Sequence, residues 1–174
     1  MQYVDGVDGA RKAVREQVMY GADWIKYYSD RREHFGPDGR LHSSVNFTDE
    51  ESRAIVEEAH RLGKKVAAHA IGSEGIAAAL RAGVDTIEHG DGLTEVLMDE
   101  MARKGVYWVP TLTVDRNLAA VGTSFGRRLS TCSGKTLPRP SRRGSRLPWV
   151  RTQAGSTGKK SIKLRNSNIT SSTA

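Results

Sequence analysis

The chain of 174 residues contains one cysteine, Cys132. That excludes an intrachain disulfide framework and a thiolate cluster for structural zinc. No apolar run approaches the ~20 residues that a membrane-crossing helix needs. The opening residues, MQYVDGVDGARK, lack the apolar core of a secretory leader. The expectation is a chain with no membrane partner, cytoplasmic by default. Acidic side chains are missing from one end: Arg116 to Ala174 holds 13 Lys and Arg and no Asp or Glu. The other 14 basic residues stand against all 20 acidic ones in residues 1–115, so the net charge of +7 conceals an acidic segment followed by a basic one. Asymmetry of this kind marks a boundary, placed here between residues 1–115 and 116–174.

The basic segment is rich in Ser, Thr, Arg, Lys and Gly and has no sustained apolar period. Such a composition cannot bury enough surface to offset its ordering entropy, so residues 116–174 are expected to be disordered. Its charge would attract phosphate without sequence preference and with steep salt dependence. Trp149 and Phe125 are its only aromatics, which leaves little for base stacking. Non-specific nucleic-acid or anionic-surface binding through this tail is therefore a second class of function to weigh.

The acidic segment has the regular pattern. Asp8 to Tyr20 reads as an amphipathic helix, with Asp8 as its cap and Gly21 as its stop. Trp24 to Tyr28 reads as a strand. Ser29 to Phe47 has Gly-Pro-Asp-Gly at its centre and no apolar period, and reads as a long loop of the kind that covers substrates. Thr48 with Glu51 forms a capping box at the head of a helix that Gly63 ends. A strand to His69, a helix over residues 72–83, a strand to His89, a helix from Leu93 to Lys104 and a strand over residues 106–111 follow. Strands separated by helices in this way predict an α/β fold with a parallel sheet, either a (β/α)₈ barrel or a doubly wound sheet.

Three side chains stand out. His69 and His89 end successive parallel strands, and neutral imidazole is the commonest metal ligand. Both therefore project from one edge of one sheet, where parallel barrels carry their active sites. Lys26 interrupts an apolar, aromatic strand, and burying an amine there is costly without a partner. It is a candidate base of lowered pKa, a Schiff-base former, a lysine carboxylated by CO₂ that bridges metals, or a snorkelling surface lysine. Glu88 is the most plausible supporting carboxylate for an imidazole. Asp85 and Asp91 adjoin the same edge. His34, His42 and His60 are read as surface residues.

GADWIK, the span VNFTDEESRAIVEEAHRLGKKVAAHAIGSEGIAAALRAGVDTIEHGDGL and the strand GVYWVPTLT resemble the metal-dependent amidohydrolase superfamily. The nearest branch is that of imidazolonepropionase-like hydrolases and Xaa-Pro dipeptidases. The resemblance runs from Asp8 to Val114 and rests on a Lys, then AAHA, then IEHG, each at a strand end. It implies strands four to seven of a (β/α)₈ barrel with a binuclear centre, usually zinc. On that resemblance Lys26 would be the carboxylated lysine bridging the metals, and His69 and His89 would bind the second metal. Two cations would activate a bridging water and polarise the scissile carbonyl of a dipeptide or cyclic amide. Tyr28, Arg31 or Arg32 would meet a substrate carboxylate. The family's first-strand His-x-His pair and its eighth-strand aspartate have no counterpart here. The resemblance therefore implies a partial barrel without activity of its own.

Overall fold

The computed structural model describes residues 2–111 and 161–166. Its frame is a six-stranded, all-parallel sheet with helices against one face. In chain order it contains β1 (Gln2–Val4), α1 (Gly6–Met19), β2 (Trp24–Tyr28), β3 (Asp30–Phe35), β4 (Leu41–Val45) and α2 (Asp49–Arg61). Then come β5 (Lys65–Ala70), α3 (Ser73–Ala82), β6 (Thr86–His89), α4 (Glu95–Lys104), β7 (Tyr107–Val109) and β8 (Ser161–Asn166). The large sheet runs β1-β8-β2-β5-β6-β7, and β3 and β4 form a separate antiparallel pair.

Register assigns the two faces. Parallel partners at one level point the same way, and successive residues alternate. Ile25, Tyr27, Val66, Ala68, Ala70 and Ile87 face the helices and are fully buried. They pack with Ala54, Ile55 and Ala59 of α2 and Ile76, Ala79 and Leu80 of α3 in one core. The opposite face carries Lys26 level with Ala67 and Thr86, and Tyr28 level with His69 and Glu88.

The helices begin and end where their sequences dictate. Thr48 accepts the N–H of Glu51 and the Glu51 carboxylate accepts the N–H of Thr48, so the capping box of α2 is complete. The same carboxylate takes the N–H of Gly6 at 2.8 Å and ties the heads of α1 and α2 together. Gly83 and Gly105 close α3 and α4 in the left-handed conformation. At α1 the expected cap is displaced: Asp5 is the N-cap, without a side-chain cap bond, and Asp8 lies in the first turn. There its charge favours the helix dipole.

The expected loop over residues 29–47 is largely a hairpin. β3 and β4 pair antiparallel around Gly36 to Arg40, with Gly39 at φ +75° and the N–H of Gly36 donating to the carbonyl of Arg40. No apolar period announces it because it buries polar groups. Ser29, Asp30, Ser43 and Asn46 are buried, and Leu41 is the hairpin's one buried large apolar side chain among the described residues. Asn46 donates to the carbonyls of Tyr28 and Asp30, both at 2.9 Å, and Ser29 donates to the carbonyl of Gly75 at 2.8 Å.

The expectation of disorder over residues 116–174 falls mostly outside the described residues. Within that span Ser161–Asn166 forms β8, seated parallel between β1 and β2. The alternation Ile162, Leu164 is too short to announce a strand in so polar a stretch. No helix among the described residues is long and apolar enough to cross a membrane.

Candidate metal centre

The face of the sheet turned away from the helices gathers the reactive side chains. Lys26 projects onto it and its Nζ stands 3.2 Å from Oε2 of Glu88, with both side chains less than one-fifth exposed. Glu88 also accepts the hydroxyl of Thr86 at 3.0 Å. Glu88 was expected to support an imidazole; its carboxylate instead meets the Lys26 amine and a hydroxyl. Lys26 is level with Ala67 and Glu88 with His69, so the two side chains meet diagonally across β5.

His69 lies level with Tyr28, and their ring centroids are 4.4 Å apart. His89 reaches the same place by a different route. It is level with Ala70, whose side chain faces the helices, so a regular strand would turn the imidazole to that side. Its φ of +75° breaks the alternation. The His69 and His89 rings then meet edge-on, with centroids 4.6 Å apart. A left-handed backbone at a bulky residue is costly and persists only where its surroundings enforce it. Here Trp108 donates its indole N–H to the His89 carbonyl at 2.7 Å, and Nδ1 of His89 shares a hydrogen bond of 2.8 Å with the Thr111 hydroxyl. The following Gly90, also left-handed, leaves space that the Trp108 indole fills: a Cβ there would lie 2.5 Å from Nε1.

Arg31 and Arg32 are on β3, in the hairpin next to His69, and Arg32 has a left-handed backbone at φ +54°. Their neighbour Asp30 was not singled out from the sequence. Its carboxyl is fully buried, and Oδ2 accepts the N–H groups of Ile71 and Gly72 at 2.9 and 2.8 Å. Burial pushes this carboxyl up to about 7, against the pull of its hydrogen bonds from Ser43, Gly72 and Ile71. Oδ1 of Asp30 has no hydrogen-bond partner and lies 3.9 Å from Nε2 of His69. Asp30, Glu33 and His69 each offer a ligand atom within 4.8 Å of the others. The signal available beforehand was an acidic residue directly after a strand, too common to use.

The remaining histidines are structural. His42 faces His34 across the hairpin and bonds Glu74 at 2.6 Å and Asp38 at 3.1 Å. His60 bonds Asp85 at 2.8 Å, and that carboxylate also takes Lys65 and the N–H of Val66.

The chain has known relatives. The family model described as "Amidohydrolase family" matches residues 2–146. The chain belongs to the amidohydrolase family. Ochratoxinase of Aspergillus niger is 37% identical over 110 residues, which cover 63% of this chain and 22% of that protein. Its crystal structure superposes with a TM-score of 0.65 at 32% identity, over 75% of this chain and 30% of that one. A Xaa-Pro dipeptidase with methionine bound in its active site gives 0.61 at 32% identity, over 75% and 32% of the two chains. A prolidase complexed with N-methylphosphonate-L-proline gives 0.60 at 36% identity, over 76% and 32%. The chain thus spans about one-fifth to one-third of the length of these relatives.

Proposed function

We propose that this chain carries part of the metal centre of a hydrolase that cleaves an amide-type C–N bond in a dipeptide or cyclic amide. What supports the reading is the meeting of His69 and His89, 4.6 Å apart by ring centroid, on the face that also holds Lys26. Family membership and the dipeptidase and prolidase likenesses point to the same reaction class.

Lys26, His69 and His89 would hold a divalent metal, with zinc as the expected ion and Lys26 binding through a carboxylate gained from CO₂. When bound, such a metal supplies Lewis acidity and an activated water. The chain's own residues do the rest. Thr111 and Trp108 fix the His89 ring through its Nδ1 and its carbonyl. Tyr28 packs against His69 and limits its rotation. Arg31 and Arg32, on the adjoining hairpin, would receive a substrate carboxylate, and a planar guanidinium suits that group. Residues 1–115 would act as the barrel portion, to which Ser161–Asn166 of the basic segment adds a strand.

The deciding measurement is ¹³C NMR of the zinc-loaded chain in labelled bicarbonate. A carbamate carbon signal is expected, and Lys26→Ala should remove it. A zinc-loaded chain with no such signal would overturn the assignment of Lys26.

A further inference from the structure

We propose that Asp30, Glu33 and His69 form a second seat for a divalent cation, at the junction of the β3–β4 hairpin with the end of β5. The seat goes beyond the proposed centre and shares only His69 with it. Three observations carry it.

First, Oδ1 of Asp30 is a buried oxygen without a hydrogen-bond partner, on a side chain with no exposed surface. Leaving such an oxygen unsatisfied is costly, and native proteins rarely do so without a reason. Oδ2 is anchored by the N–H groups of Ile71 and Gly72, so the carboxylate cannot turn Oδ1 towards solvent. Oδ1 is held facing Nε2 of His69 at 3.9 Å, too far for a hydrogen bond.

Second, the distances suit an ion. Oxygen and nitrogen ligands about 2.0–2.2 Å from one ion stand roughly 3–4 Å from each other. The separation of Asp30 from His69 lies in that range, and all three ligand atoms lie within 4.8 Å. Glu33 is half-buried, and its ligand oxygen lies within the same 4.8 Å.

Third, the backbone is deformed so as to bring Glu33 there. In a regular strand Asp30 and Glu33, three residues apart, point to opposite faces. The β3–β4 register shifts between Arg31 and His34, and Arg32 is left-handed at φ +54°. A bulge of this kind resets the alternation and re-aims a side chain. It puts two carboxylates and an imidazole together around an Asp30 Oδ1 that accepts no hydrogen bond. A small oxygen-and-nitrogen site of this composition takes Zn²⁺, Mn²⁺ or Co²⁺ rather than a soft metal.

One imidazole nitrogen binds one ion. The hairpin seat and the proposed centre therefore compete for His69 if both use Nε2.

The test uses Co²⁺ as probe on the whole chain. In a Lys26→Gln/His89→Gln background, which removes the proposed centre, one Co²⁺ should still bind and give a visible absorption band. Adding Glu33→Gln should weaken that binding at least tenfold. Failure of the background variant to bind Co²⁺, or unchanged affinity after Glu33→Gln, overturns the proposal. As a second readout in the same background, Mn²⁺ should broaden the amide signals of residues 30–34, and adding Glu33→Gln should abolish the broadening. Persistent broadening in Glu33→Gln also overturns it. Neither readout depends on hydrolysis or on a carbamate at Lys26, so the seat and the proposed activity fail separately.

Discussion

Nζ of Lys26 and Oε2 of Glu88 stand 3.2 Å apart on two strands separated by β5, Lys26 level with Ala67 and Glu88 level with His69. The pair joins β2 to β6 across the sheet face.

Because both side chains are mostly buried, removing one leaves the other without its partner. Lys26→Met should cost about 1–3 kcal/mol, the usual penalty for an unsatisfied buried polar group. Lys26→Met/Glu88→Leu should recover most of that loss, since apolar replacement of both partners is often neutral. Urea unfolding of the two single variants and the double variant gives the coupling. Additive losses would show that the pair contributes nothing.

Gly75 sets sequence propensity against packing. It lies inside α3, where Ala is ordinarily better than Gly by about 1 kcal/mol. A Cβ at this position would fall 2.2 Å from Oδ2 of Asp30, and that carboxylate is held by two backbone N–H groups. Gly75→Ala should therefore lower stability by about 1–3 kcal/mol, the typical cost of overpacking. A higher urea midpoint than that of the parent chain would contradict the close docking of hairpin on helix.

Glu58 links stability to acid. It is buried in α2, receives Arg61 and Arg15, and lies 3.5 Å from Arg11. The hydrogen bonds from Arg61 and Arg15 hold its carboxyl down to about 2. A carboxyl lowered on folding contributes its stability above its unfolded value, near ~4.3, and loses it as pH falls through the folded value. The chain should weaken progressively from about pH 4.5 towards pH 2. Glu58→Gln should flatten that part of the stability–pH curve, measured by chemical unfolding at several pH values.

His42 behaves in the opposite sense. Its hydrogen bonds to Glu74 and then to Asp38 raise its pKa. A histidine raised on folding contributes fully below its unfolded value and loses that contribution as pH rises through the folded one. Hydrogen exchange of hairpin amides should accelerate as pH rises above the ordinary imidazole range, after correction for the intrinsic rate. His42→Gln should abolish the pH-dependent part.

The capping box offers the simplest test. Thr48→Ala should cost about 1 kcal/mol and Thr48→Ser should retain most of it, as read from thermal or urea unfolding.

The βα units were legible because their apolar stripes and glycine stops have only one reading. Trp24 to Tyr28 and Thr86 to His89 are strands with the bounds expected for them. Lys26 and His69 were legible on one face because parallel strands repeat one direction, whereas His89 joins them only through its left-handed backbone. The hairpin was not, since its buried residues are polar and its order comes from hydrogen bonds formed with α3, distant in sequence. Asp30 stayed hidden for the same reason: its environment is made by Ile71, Gly72 and Gly75. Glu88 was read as a partner of an imidazole because sequence gives adjacency along a strand, whereas its amine partner lies two strands away.

The turn of the backbone at His89 constrains how this family member can vary. β6 hands over its imidazole at the residue where its ladder stops, and the inversion of φ there undoes the parity of the strand. Adding or deleting one residue before His89 would carry the ring into the helix-covered interior, or require a second inversion. Length changes beyond Gly90 would leave the ring where it is. Homologous chains should therefore accept insertions after this histidine and resist them before it.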